Sequence, residues 1–263
     1  MQQSEPFEGP KLKIARGRRH AAELNTELAA YLKTDPCAVL LEVNTDTSER
    51  RVALKFRNST FIPKEFPGIF GDAVHNYRTA LDILANELVA LGGVQPKKVY
   101  FPFGKDAAVF EIELKTKMGQ ASDAIKDIVR SLKPYAGGNE LLRAMHDLDI
   151  GDKHVAIMKV SAAGLTGPLP QKKIGSHSLP GGGGRLYFEV DMEAIETIPI
   201  DLTGFPIEAP YKPIGKIAAS EIKCLIAPGL PLNGTPVVKV LNKMGDLAQS
   251  IVKTFEAHCF GQQ

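Results

Sequence analysis

Apolar positions along the 263-residue chain fall into runs of helical and of alternating spacing, in an order that is not a simple repeat. Between Lys11 and Lys33, Leu12, Ala15, Ala22, Leu24, Leu28 and Leu32 recur at three- and four-residue steps. This predicts an amphipathic helix that ends before Asp35-Pro36, where proline forbids continuation. Ala38 to Val43 is apolar and Asn44-Thr45-Asp46-Thr47 has turn chemistry. Val52, Leu54 and Phe56 then alternate with Arg51, Ala53 and Lys55, giving a hairpin with one buried face. After Pro63 and Pro67 a long helix is predicted over 68–91. Its stripe is Phe70, Val74, Tyr77, Leu81, Leu84 and Leu88, and Gly92-Gly93 stops it. The apolar segment Val99-Tyr100-Phe101-Pro102-Phe103 reads as extended and buried.

Helical spacing resumes over 107–117 and 122–132, with Gly119 between. Another helix opens at Asn139, a suitable N-cap, and is predicted to reach 160 through Leu141, Met145, Leu148, Val155 and Met158, kinked or broken at Gly151. Residues 164–184 carry Pro168, Pro170, Pro180 and four consecutive glycines, the composition of a loop or lid. Leu186, Phe188 and Val190 mark a strand, 217–226 another, and Thr235-Pro236 opens a final helix through Phe255. Parallel βαβ alternation is absent. The expected fold class is α+β: a helical bundle of about five helices with an antiparallel β-sheet segregated to one side, 1–263 forming one domain.

Two of these helices carry ionisable residues on or beside their apolar stripes. On the first, His75, Arg78 and Asp82 stand at i, i+3 and i+7 and share a face. Arg78 and Asp82 are spaced to pair directly. A histidine beside such a pair offers a proton-transfer group near neutral pH next to a fixed cation; a structural salt bridge with a boundary histidine uses the same residues. On the second, His146, Asp149 and Lys153 share a face, and Asp152 falls between Leu148 and Val155 where an apolar residue is expected. Unpaired carboxylates are rare there. Asp147, Asp149 and Asp152 with His146 and His154 supply either metal ligands or a paired acid and base. No H-E-x-x-H motif and no calcium-loop glycine is in register, so cofactor and metal stay open. If the helices pack side by side, Arg78 satisfies Asp152 or Asp149, and His75 faces His146, because a buried charge needs a partner.

Composition narrows the field. A formal charge of +2 provides no global field towards nucleic acid or anionic membrane, which leaves nucleic acid a disfavoured partner. Cys37, Cys224 and Cys259 are far apart and lack C-x-x-C spacing, so neither a zinc site nor a disulfide framework is indicated. No apolar run approaches a membrane span and no secretory h-region follows the polar N-terminus, so a soluble cytoplasmic protein is expected. The glycine run at 181–184 precedes a strand rather than a helix, unlike phosphate-binding loops. Lys172, Lys173 and His177, and Arg16, Arg18, Arg19 and His20, are small basic clusters that read as solvated faces.

At His75-Asn76-Tyr77-Arg78-Thr79-Ala80-Leu81-Asp82 and Leu148-Asp149-Ile150-Gly151-Asp152-Lys153-His154 the chain resembles a group of bacterial proteins. They share an HN-x-R-x-ALD-x-LA helix, an F-P segment (here Phe101-Pro102) and a later D-x-x-DKH helix; the resemblance spans most of the chain and implies no established activity. The first motif is also similar, more distantly, to that of HEPN-type helical domains, many of them metal-independent ribonucleases. Their arginine is followed four to six residues later by a histidine. Arg78 matches, but Ile83 stands five residues on and His75 precedes the arginine. Either the likeness is superficial, or the nuclease chemistry is lost, or His146 or His154 substitutes.

The function expected from these residues is hydrolysis by general acid–base chemistry in a polar pocket between the two helices, on a phosphodiester, nucleotide or other small molecule. His75 and His146 are the proton-transfer candidates, Arg78 and Lys153 the stabilisers of negative charge, and Asp82, Asp149 and Asp152 the orienting groups. The competing expectation is a non-catalytic binding or interaction module whose buried network only fixes helix register. A metal-dependent enzyme with His and Asp ligands is the third. Substrate and oligomeric state are not legible.

Overall fold

In a computed structural model of the chain, residues 5–34, 37–44, 51–58, 63–151, 158–162, 172–178, 183–189, 211–216, 222–226 and 229–261 are described. Side chains are described for 5–34, 63–150, 224–226 and 229–261. The chain divides into two compact units: Met1–Glu27, Lys64–Lys159 and Leu225–Gln263 form one, Leu28–Pro63 and Val160–Cys224 the other. The candidate residues that are described all lie in the first.

That unit is built around α2 (Glu65–Leu91), preceded by α1 (Glu8–Lys33) and followed by α3 (Ala107–Met118), α4 (Asp123–Leu132), α5 (Glu140–Gly151) and α6 (Val237–Phe260). Helix ends follow local chemistry. Asp106 accepts from Val109 N at 2.8 Å, Ser122 from Ile125 N at 3.3 Å and Asn139 from Leu142 N at 3.0 Å, each satisfying an orphan amide of the first turn. The α2 stripe widens into a broad apolar surface, with Ala73, Ala80, Ala85 and Val89 buried beside Phe70, Val74, Tyr77, Leu81, Leu84 and Leu88, opposite a polar face through Asp72, His75, Thr79 and Asp82. It packs on α5 and α6, whose Leu142, Met145, Leu148, Val240, Leu241, Met244, Ala248, Ile251, Val252 and Phe255 are likewise buried. Along α1, Lys11 pairs with Glu256 at 2.5 Å and Arg18 with Asp246 at 2.8 Å, fixing it antiparallel to α6.

Among residues described through their side chains, six helices account for 71%, with one short strand and no sheet. The α+β expectation, a bundle carrying a segregated sheet, is therefore corrected to a mostly helical fold. The reason is physical: α2, α5 and α6 cover one another's apolar faces, so the helical core is closed by helices.

The second unit is described by its backbone. β1 (Cys37–Asn44), β2 (Arg51–Asn58), β4 (Lys172–Ser178), β5 (Gly183–Glu189) and β6 (Tyr211–Lys216) pair in the order β4-β5-β2-β1-β6. The β1–β2 pair is antiparallel, from Cys37 opposite Asn58 to Val43 opposite Val52. β3 (Met158–Ala162) and β7 (Ile222–Ile226) stand outside this arrangement. Two local expectations change. The helix predicted to run to 160 ends at Gly151, with β3 extended from Met158; glycine loses the most backbone entropy in a helix. The stretch expected to be a loop or lid contains β4 and the start of β5, with Ser178 opposite Gly184. Among the described residues no helix is long and apolar enough to cross a membrane.

Candidate functional site

Segment 99–104 threads between α2 and α5, and three polar clamps hold it. Asp82 Oδ1 accepts from Phe101 N at 2.8 Å. Asn86 Nδ2 donates to Val99 O at 2.8 Å, and Arg143 Nη1 donates to Gly104 O at 2.8 Å. Val99 and the run Phe101, Pro102, Phe103 and Gly104 are buried, while Tyr100 is exposed.

Phe103 is the floor of the cluster. The Arg78 guanidinium carbon lies 4.5 Å from its ring centroid, and the His146 ring stacks on it at 4.5 Å and 7°. Arg78, only 7% exposed, places Nη1 2.5 Å from Asp82 Oδ1 without aligning an N–H bond on it, and donates from Nε to His146 Nδ1 at 3.4 Å. Accepting at Nδ1 fixes His146 as the Nε2–H tautomer. Behind it, Arg143 clasps Asp147 through both Nε (2.9 Å) and Nη2. Burial, then the cations of Arg78 and Arg143, hold the His146 pKa down at about 4.

His146 is thus neutral at pH 7, and the shift has a consequence for stability. Its folded-state pKa lies below the unfolded value near 6.5, so the unfolded chain takes up the proton first. Stability present at pH 7 is expected to fall progressively between pH 6.5 and pH 4, by about 1–2 kcal/mol after discounting for partial solvent access. His146→Gln keeps an acceptor for Arg78 and cannot titrate; urea unfolding from pH 7 to pH 4 should show a shallower loss for it than for the wild type. Equal slopes would remove His146 as the cause.

The outer part of the cluster differs. His75 is 64% exposed, and its Nδ1 lies 2.9 Å from Asp149 Oδ1. One helical turn on, Thr79 Oγ1 lies 3.4 Å from His75 Nε2. The expected partnerships are therefore rearranged. His75 meets Asp149 rather than His146; Arg78 keeps the Asp82 pairing its spacing predicts and meets His146 across the helices rather than Asp149. Asp152, Lys153 and His154 lie outside the described residues.

Thr79, Phe103, Arg143 and the Gly104 carbonyl join the cluster without having been singled out from the sequence. Spacing held part of the signal: Thr79 stands at i+4 from His75, and Asp147 at i+4 from Arg143. Among the described residues no group of three His, Cys, Asp or Glu side chains is arranged to hold a metal ion. The two thiols among the described side chains are poor nucleophiles: burial pushes Cys224 up to about 12 and raises Cys259. Of the basic cluster on α1, Arg18 pairs with Asp246 and His20 with Glu23. Compared with known protein families, with curated proteins and with solved structures, the chain matches none.

Proposed function

We propose that the protein is a cytoplasmic hydrolase acting by general acid–base chemistry, with His75 as the proton-transfer group and Asp149 as its orienting carboxylate. The observation that carries this reading is the 2.9 Å His75–Asp149 contact on a histidine that is 64% exposed. A carboxylate at Nδ1 fixes the tautomer and orientation of the neutral ring and leaves Nε2 as a base open to a reactant. His146 does not share the role: it is neutral, already accepts from Arg78, and is stacked on Phe103. Its task is to position Arg78. The HEPN-like ribonuclease variant loses support, since Arg78 is engaged inside the cluster and only 7% exposed.

A second reading has its own observation. The Arg78–Asp82 and Arg143–Asp147 pairs each clamp segment 99–104, through Phe101 N and the Gly104 carbonyl, as expected of a network that only fixes helix register in a binding module. The two readings separate experimentally. Wild-type protein and His75→Ala are to be assayed on p-nitrophenyl acetate and bis-p-nitrophenyl phosphate, with melting followed in parallel. Catalysis by His75 predicts a loss of turnover of about 100-fold or more, the usual contribution of a positioned base, with melting within a few degrees of wild type. Equal rates in the two proteins, or no turnover of either probe, would leave the register-fixing reading.

A further inference from the structure

Thr79 is set apart from the other threonines in the helix interiors of this protein. Thr26, Thr116 and Thr254 each donate to the carbonyl four residues back, Ala22 O at 3.1 Å, Ile112 O at 2.8 Å and Ser250 O at 3.0 Å. That back-bond is the ordinary way a helical hydroxyl is satisfied. The Thr79 hydroxyl instead faces the His75 ring, with Oγ1 3.4 Å from Nε2. Across that ring, Nδ1 meets Asp149. Carboxylate, imidazole and hydroxyl therefore stand in a row, Asp149–His75–Thr79. In the neutral ring Nδ1–H donates to the carboxylate, so the Nε2 lone pair faces the hydroxyl. The separation is long for a hydrogen bond, and contacts between nucleophile and base commonly tighten only with substrate bound.

We infer that Thr79 is the nucleophile of this site and that its substrate is a neutral carboxylic ester, cleaved through an acyl–threonine intermediate. This rests on the hydrolase reading above and adds to it the attacking atom and the substrate class. His75 Nε2 takes the Thr79 Oγ1 proton as that oxygen bonds to the ester carbonyl carbon. When the tetrahedral adduct collapses, the bond to the alcohol oxygen breaks and His75 returns the proton to the leaving alkoxide. In the second half His75 takes a proton from water, the hydroxide adds to the acyl carbon, and Thr79 leaves with the proton. One ester and one water become one acid and one alcohol, with nothing oxidised or reduced.

Charge selects the ester over a phosphodiester. Among the described residues the neighbouring guanidinium groups are committed, Arg78 to Asp82 and Arg143 to Asp147. Asp72, one turn before His75 on α2, is exposed, and Asp149 has His75 as its partner. Among the described residues a phosphodiester anion approaching Thr79 meets carboxylates and no uncommitted guanidinium, whereas a neutral ester carries no charge to repel.

The test uses the full chain and p-nitrophenyl acetate, with bis-p-nitrophenyl phosphate as the second probe. Wild type should release a burst of p-nitrophenolate equal to the enzyme present and, after acid quench, carry one acetyl group on the peptide holding Thr79. Thr79→Ser should keep burst and adduct. Thr79→Val and His75→Ala should lose both, by about 100-fold or more in rate, with melting close to wild type. Turnover persisting in Thr79→Val without an adduct means that His75 activates water directly; the nucleophile inference then fails while the hydrolase reading stands. His75-dependent cleavage of the phosphodiester but not the acetate overturns the substrate class in the same way. An acetyl group on a different residue, unchanged in Thr79→Val, overturns the nucleophile. Wild type inert towards both probes overturns inference and reading together.

Discussion

Replacing Arg78 with Ala is expected to destabilise the helical unit by about 3–5 kcal/mol, the range for removing one partner of a buried ion pair. Three losses coincide at this residue. Asp82, which also accepts from Phe101 N, keeps its charge without the cation beside it. His146 Nδ1 loses its donor, and the Phe103 face loses the guanidinium packed 4.5 Å from its centroid. The pair itself need not be strongly stabilising, because desolvating two charges offsets much of their attraction. A cycle separates these contributions. Arg78→Met keeps the apolar stem and removes the charge; Asp82→Asn keeps an acceptor for Phe101 N and removes the other charge. The double variant should be more stable than Arg78→Met alone by about 1–2 kcal/mol, since no uncompensated carboxylate remains. Hydrogen exchange at α2 amides is the suitable readout, because a chain of two units need not unfold in one step. A double variant no better than the single one would mean that Asp82 is stabilised by its bond to Phe101 rather than by Arg78.

What the sequence disclosed of this cluster, and what it hid, follows from the range of each interaction. Caps at Ser122 and Asn139, the burial of Phe101 and Phe103, and the Arg78–Asp82 spacing depend on residues at most a few positions apart. Helical periodicity and cap chemistry are enough to read them. The contact between His75 and Asp149 spans 74 positions and depends on the angle and height at which α5 docks on α2. Periodicity gives which face of a helix is apolar, not which turn of one helix opposes which turn of another. Arg78 also had carboxylates of α5 within plausible reach, and only docking decides that its partner there is His146. Phe103 was hidden for another reason: an aromatic residue in a buried segment reads as core, and its second use, under a guanidinium and an imidazole, carries no pattern of its own. The fold class was misjudged because alternation identifies strands one by one but does not weigh them against the helices, which make up 71% of the residues described through their side chains.

Tyr77→Ala should be the other severe change, at about 3–5 kcal/mol for an aromatic side chain deleted from a packed core. The ring is fully buried and wedged between two glycines, Gly17 on α1 and Gly245 on α6. A Cβ at Gly17 would lie 2.5 Å from Tyr77 Cε1, and one at Gly245 would lie 2.9 Å from Oη. Alanine raises intrinsic helix propensity by about 1 kcal/mol over glycine, so isolated helices would gain from either substitution. Here the clash should outweigh that gain, giving a net loss of about 1–3 kcal/mol for Gly17→Ala, the range for overpacking a core. Tyr77→Phe distinguishes the two notches. Among the described residues the buried Tyr77 hydroxyl has no hydrogen-bond partner, and burial pushes its pKa up to about 12, so removing it should be neutral or slightly stabilising. Combined with Tyr77→Phe, Gly245→Ala should lose most of its penalty, since the next contacts are ring carbons at 3.1 and 3.2 Å. Gly17→Ala should keep its full penalty, because its clash is with the ring carbon that phenylalanine retains. Urea unfolding of each glycine variant, alone and combined with Tyr77→Phe, checks this, and equal relief at both glycines would show that α1 and α6 shift to accommodate the ring rather than clamp it.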